Sequence, residues 1–279
     1  MPVTGKPIPP PEGGVTTDLT SDLALALSLA DTADQITLDR AGAADLRVDR
    51  KPDRTPVTDA DLAVEDAIRM VLGAQRPRDA VLGEERGGAL ADAGRLWLLD
   101  PIDGTKNFLR GLPVWATLIA LVEHGRPVVG VISAPALRRR WWAATGAGAH
   151  SRNAHGVTRT ITVSGVSELS DAYVSTTHLG SWVRHRSRES YLSLVDATWE
   201  NRAFGDFWQH CLVAEGAIDL AAEPVVSPWD VAAVQVLVEQ AGGRFTDLEG
   251  VARYDGGTAL SSNGLLHDAA LGCLRHSIC

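Results

Sequence analysis

The stretch Trp97–Phe108, WLLDPIDGTKNF, starts as a buried strand should, then places aspartates on either side of Pro101-Ile102, with Gly104-Thr105 directly after. Burial makes an unpaired carboxylate expensive, so two at the end of an apolar strand would shift their pKa values or destabilise the fold. A cation between Asp100 and Asp103 removes that conflict. The segment therefore asks for a bound cation.

The 279 residues are 45% hydrophobic, enough for one large domain or two tightly packed halves. A formal charge of −9 argues against general affinity for nucleic acid or an anionic membrane and favours small molecules and metals as partners. Three scattered cysteines, Cys211, Cys273 and Cys279, offer neither metal-site spacing nor a disulfide framework, which fits a reducing cytoplasm. Charged and polar residues interrupt the run WATLIALVEHGRPVVGVISA, so no membrane span is expected. Residues 1–17, rich in Pro and Gly, read as a mobile tail without the apolar core of a signal peptide.

Residues 18–164 read as helices packed on a largely antiparallel sheet. Apolar residues from Leu19 to Ile36 recur at helical spacing, giving an amphipathic helix from Asp18 to about Ala44. A second helix follows Thr58, with Asp61 completing a capping box and Val64, Ile68 and Val71 facing inward. AVLGEER and RLWLLDPID are short apolar runs that each end in carboxylates, and a hairpin with His124-Gly125 near its turn follows. Over residues 165–279 strands and helices alternate: AYVST, a helix around WVRHRSRESYLSLV, NRAF, FWQHCLVAEGA, IDLAAE, WDVAAVQVLVEQAGG and RFTDL, an α/β pattern.

Acids stand at odd places in three segments: Glu84-Glu85 at a strand end, Asp100 with Asp103, and Asp230 at a helix start. Singly, Asp230 could serve the helix dipole and Asp103 could cap the turn at Gly104. Together, carboxylates plus the Ile102 carbonyl form the ligand set of a hard cation, and the lack of His or Cys favours Mg²⁺ or Mn²⁺ over zinc. Gly104-Thr105 could open a short helix whose N–H groups receive phosphate. Metal beside a phosphate cradle implies phosphoryl transfer to water.

The stretches VTDADLAVE, GEE, WLLDPIDGTKNF and SPWDVAAVQVLVEQAGG, in this order and spacing, resemble the inositol monophosphatase superfamily of Mg²⁺-dependent, lithium-sensitive phosphatases, over about residues 20–270. The resemblance implies a layered αβαβα sandwich and, commonly, a homodimer. It implies that Glu84, Asp100 and the Ile102 carbonyl hold a first metal, that Asp100, Asp103 and Asp230 hold a second, and that Asp61 with Glu84 supports a third, weaker one through water. Asp103, Gly104 and Thr105 would bind phosphate. Water on the first metal, oriented by Glu84 and Thr105, would attack phosphorus in line, without a covalent enzyme intermediate.

The segment NRAFGDFWQHCLVAEGAIDLAAEP departs from inositol phosphatases by carrying Asp206 where they have small residues, with Glu223 at a position that faces substrate. Acids there would repel a phosphate dianion unless the substrate also carries positive charge. The pattern is similar to the actinobacterial type of histidinol-phosphate phosphatase, which implies L-histidinol phosphate as substrate. Asp206, Glu223 and Asp230 would then line its pocket, with Arg202 on the pocket or phosphate side. From the residues alone, Asp206 capping a helix at Phe207 explains it equally well, and inositol phosphate stays open as a substrate.

Other signals point elsewhere. GAGAHS fits a hairpin turn better than a nucleotide loop, and Arg138-Arg139-Arg140 a solvated edge or interface better than a nucleic-acid site. His178, His185 and His210 could meet an imidazole or a metal, but lone histidines mostly do neither. A catalytically silent metal or phosphate binder would be expected to lack ligands, and Glu84, Asp100, Asp103, Thr105 and Asp230 are all present.

Overall fold

The computed structural model describes residues 19–52, 54–88 and 94–275; the expected N-terminal tail lies outside them. In chain order come α1 (Leu19–Arg40), β1 (Val48–Arg50), β2 (Pro56–Thr58), α2 (Asp59–Gln75), β3 (Ala80–Gly83), β4 (Arg95–Asp103), α3 (Thr105–Leu109), β5 (Ala116–Glu123), β6 (Arg126–Ala134), β7 (Arg139–Ala144), β8 (Gly148–Arg152) and β9 (Thr158–Thr160). Then follow β10 (Tyr173–Thr176), α4 (Leu179–His185), α5 (Arg188–Asp196), β11 (Glu200–Arg202), α6 (Asp206–Ala214), β12 (Leu220–Glu223), α7 (Pro228–Gln240), β13 (Arg244–Thr246), β14 (Ala259–Ser262) and α8 (His267–Arg275).

Strands β3 to β9 form one sheet in sequence order, antiparallel except for the β3–β4 pair. The second sheet runs β11-β10-β12-β14-β13, with β10 parallel to both neighbours. Alternation along β4 and β5 explains their unbroken apolar runs. Leu98, Leu118 and Ala120 face a core shared with α6 and α7, whereas Trp97, Leu99, Ile119 and Leu121 face α1 and α2. On the far side of the second sheet, Val174, Leu220 and Leu260 pack against α4, α5 and α8 through Trp182, Leu194 and Leu271. Five layers result: helices, sheet, helices, sheet, helices, the expected αβαβα sandwich.

Helix α7 is buried from Val231 to Val238 because it touches both sheets, so its sequence is apolar nearly all round. It lies close against β6. A Cβ built on Gly130 would stand 2.6 Å from the Ala233 carbonyl oxygen, so only glycine fits there. The β5–β6 turn is His124-Gly125, both with positive φ, as a two-residue hairpin with native twist requires.

Several details differ from the sequence reading. Helix α1 stops at Arg40 because the chain turns through Gly42 at φ 75°. The single helix expected around WVRHRSRESYLSLV is two, broken where Ser187 caps α5 by accepting the Ser190 N–H at 2.9 Å. Strand β14, helix α8 and the β1–β2 hairpin carried no strong signal, since each is short and held by tertiary contacts. Cys273 is disulfide-bonded, against the expectation of no disulfide framework. Arg139 and Arg140 are ion-paired, with Glu215 and with Asp31 and Asp34 respectively, which accounts for basic residues beside the buried Trp141. Among the described residues no helix is long and apolar enough to cross a membrane.

Candidate active site

The end of β4 is shaped by a break in register with β5 between Asp100 and Asp103. Thr117 Oγ1 donates to the Pro101 carbonyl at 2.7 Å, and Thr105 Oγ1 donates to the Ile102 carbonyl at 2.9 Å. Gly104, at φ 85°, turns the chain into α3 with its Cα beside the Val114 carbonyl, where a side chain would collide. The N–H groups of Asn107 and Phe108 close on the Gly104 carbonyl at 2.8 and 3.0 Å. Those of Gly104 and Thr105, ahead of them, have no intrahelical acceptor.

Each flanking element delivers one carboxylate and ties down part of it. At the start of α2, Asp61 Oδ2 accepts from the Thr58 N–H at 2.8 Å, which leaves Oδ1 3.4 Å from Thr105 Oγ1. At the start of α7, Asp230 Oδ2 accepts from the Ser227 N–H at 2.7 Å, and Asp103 Oδ2 accepts from the Phe207 N–H of α6 at 2.7 Å. The capping role of Asp230 and its place in an acidic cluster are thus compatible: one oxygen serves the fold and the other is spare. Asp100 Oδ1 is buried with no hydrogen-bond partner.

The Glu84-Glu85 turn rests on residues that carry no signal in the sequence. The buried Glu65 of α2 accepts the Glu85 and Arg86 N–H groups at 2.8 and 3.1 Å. Lys51 Nζ lies 2.6 Å from Glu84 and 2.7 Å from Glu85. Burial draws the Lys51 pKa down, but its two glutamate partners together outweigh this and hold it above the ordinary lysine value. Nothing in the Pro-punctuated loop RKPDRTP marks Lys51 in advance, because its partners lie more than thirty positions away.

The carboxylates burden one another. Burial, then the charges of Glu84, Asp103 and Asp230, push Asp100 well above the carboxylate range; burial with Asp206 and Asp230 does the same to Asp103. Burial, opposed by the Ser227 N–H but reinforced by Glu84, Glu223 and Asp206, raises Asp230 to about 8. Asp61 is raised to about 6, chiefly by burial. Such a set is stable as anions only beside added positive charge.

That requirement is the test of fit for a metal. Among the described residues no three or more acidic, His or Cys side chains already stand at metal-ligand spacing, since several are turned to N–H donors or Lys51. The donors are nevertheless all hard oxygens, one oxygen of Asp100 is orphaned, and Lys51 answers the mutual repulsion only at the Glu84-Glu85 end. A divalent hard cation fits this set.

A cleft adjoins the cluster, lined by Asp103, Lys106, His178, Asp206, Glu223 and Asp230 among others. Asp206 is not the cap of α6, since Asp103 takes the Phe207 N–H; its own carboxylate accepts from Asn107 Nδ2 at 3.3 Å. Burial and Glu223 raise Asp206 to about 6, with Lys106 opposing. Glu223 is held by His210. Arg202 is not brought to the cleft: it is exposed on β11, with its guanidinium on Glu200 and the Asn201 carbonyl. His178 lines the cleft but its ring caps α4.

The five-layer fold sets a buried acidic cluster beside a glycine turn, and the class of protein follows from comparison with known sequences. The inositol monophosphatase family model matches residues 18–276, so the chain belongs to that family and is a phosphatase. The histidinol-phosphatase of Mycobacterium tuberculosis is 58% identical over 90% of this chain and 96% of its own length. That of Streptomyces coelicolor is 50% identical over 92% of this chain and 98% of its own length. Among solved structures, an inositol monophosphatase from Zymomonas mobilis superposes with a TM-score of 0.81 at 32% identity, covering 93% of this chain and all of the other.

Proposed function

We propose that this protein hydrolyses L-histidinol phosphate to L-histidinol and phosphate, water supplying the oxygen that replaces the alcohol on phosphorus. The observation that carries the reading is the pair Asp206 and Glu223 in the cleft beside the cluster. A polyol can donate its hydroxyls to these acids but leaves their charge unbalanced, whereas a substrate bearing an ammonium and an imidazole supplies the counter-charge. The strong likeness to two histidinol-phosphatases supports this over inositol 1-phosphate.

Glu84, Asp100 and the Ile102 carbonyl would hold one Mg²⁺, Asp100, Asp103 and Asp230 a second, and Asp61 with Glu84 a weaker third; the same oxygen set would accept Mn²⁺. Bound there, the metal would supply Lewis-acid charge for activating water and stabilising the leaving oxygen. Gly104 and Thr105 present N–H groups to the phosphate. The Thr105 hydroxyl, 2.9 Å from the Ile102 carbonyl and 3.4 Å from Asp61 Oδ1, would orient the attacking water with Glu84, and Asp61 would take up the proton that the water releases. The enzyme works as a homodimer in the cytoplasm in this reading.

The test is Mg²⁺-dependent phosphate release from L-histidinol phosphate, inositol 1-phosphate and a nucleotide monophosphate, with and without chelator. Chelator-sensitive preference for histidinol phosphate is expected, and Asp206→Asn should reduce that preference about tenfold. A wild-type preference for inositol phosphate refutes the substrate assignment while leaving the metal chemistry standing.

A further inference from the structure

Glu223 sits in the cleft, but one of its oxygens is committed inward. On α6, the buried His210 places Nε2 2.8 Å from Glu223 Oε1 and Nδ1 2.8 Å from Ser261 Oγ. Ser261 on β14 pairs with Ala221, two residues before Glu223 on β12, so Ser261 and Glu223 share the face of the sheet that α6 covers. A carboxylate only accepts, so Nε2 carries the proton, and with a neutral ring Nδ1 accepts the Ser261 hydroxyl. The order Ser–His–Glu resembles a nucleophilic triad, but Ser261 is fully buried and does not line the cleft.

We infer that His210 is a positioning residue for substrate preference: anchored by Ser261, its imidazole fixes one oxygen of Glu223 and aims the other into the cleft, at the cationic end of the substrate. The inference rests on Glu223 being a counter-charge to the substrate amine. A glutamate left free would sample several rotamers, and ordering it on binding would weaken the contact. Here the fold orders it beforehand. Because His210 does not line the cleft, it acts only through Glu223 and leaves the reacting phosphate alone.

The test compares wild type, His210→Leu and His210→Gln in steady-state kinetics with saturating Mg²⁺, on L-histidinol phosphate and on inositol 1-phosphate. His210→Leu should raise KM for histidinol phosphate about tenfold, with kcat changed by less than about twofold and inositol 1-phosphate kinetics unmoved. His210→Gln, whose amide N–H can reach an acceptor, should recover most of the loss. Equal loss on both substrates, or no change on either, overturns the inference and leaves His210 a core residue. If His210→Leu fails to fold by circular dichroism, Ser261→Ala serves, with a smaller KM rise expected on histidinol phosphate only and the same overturning outcomes. A wild-type enzyme with no preference for histidinol phosphate overturns the functional reading and this inference together; a preference that the variants leave intact overturns the inference alone.

Discussion

Asp103 Oδ2 accepts the backbone N–H of Phe207 at 2.7 Å, across 104 positions of sequence. One carboxylate thereby joins the acidic end of β4 to the helix that carries the wall of the cleft. Asp103→Asn keeps an oxygen for that N–H but removes the charge that a cation requires. Mg²⁺-dependent turnover should fall more than about 100-fold with the thermal melt little changed; near-normal turnover would remove Asp103 from the metal site.

Metal binding should also register as stability, independently of catalysis. Asp100 is buried with an orphaned oxygen among Glu84, Asp103 and Asp230, so a divalent cation relieves repulsion in the folded state alone. Mg²⁺ at about 100 times its Kd should add ~2.7 kcal/mol, read as a concentration-dependent rise in melting temperature. Asp100→Asn should blunt the rise. A melting temperature insensitive to Mg²⁺ in the wild type would contradict the cluster's assigned role.

The contact of Gly130 with α7 is a packing prediction. A Cβ there meets the Ala233 carbonyl oxygen and Val236 Cγ1, both at 2.6 Å, with backbone on one side. Gly130→Val should destabilise the fold by roughly 1–3 kcal/mol or more through overpacking at the middle helix layer. Urea unfolding measures it, and a change under about 0.5 kcal/mol would mean that α7 shifts freely.

His267 gives a pH dependence away from the site. It is buried between Thr246 Oγ1, 2.9 Å from Nε2, and Ser262 Oγ, 2.8 Å from Nδ1, and burial, aided by Arg244, lowers its pKa from 6.5 to about 4. The Thr246 hydroxyl donates to the Asp247 carbonyl, so Nε2–H donates to Thr246 and Nδ1 is left to accept from Ser262. Between pH 6.5 and 4 the unfolded chain holds the extra proton. The stability contributed by neutral His267 is therefore fully present above 6.5 and is lost as pH falls through 4, by at most ~3 kcal/mol. Relative to His267→Gln, the wild type should lose more stability between pH 7 and 4.5 in denaturant titrations. Parallel losses would show that His267 does not titrate in that window.

The residues DPIDGT, GEE and SPWD were legible from the sequence because the chemistry proposed for them is local: a hard cation needs oxygen donors, and a tight turn needs glycine at Gly104. Apolar runs such as LIALV likewise announced strands, which the structure buries on both faces, as a layered fold requires. What only the tertiary structure decided is which partners meet. Lys51 reaches Glu84 and Glu85, Glu65 holds their turn, and His210 holds Glu223, each across a distance set by sheet register and helix packing. The same packing decided that Asp103, and not Asp206, caps α6, and that Arg202 faces away from the cleft. Residue type and short spacing fix the chemistry a chain can offer, whereas the burial and orientation that put it to use come from contacts between segments far apart in sequence, and no local pattern encodes those.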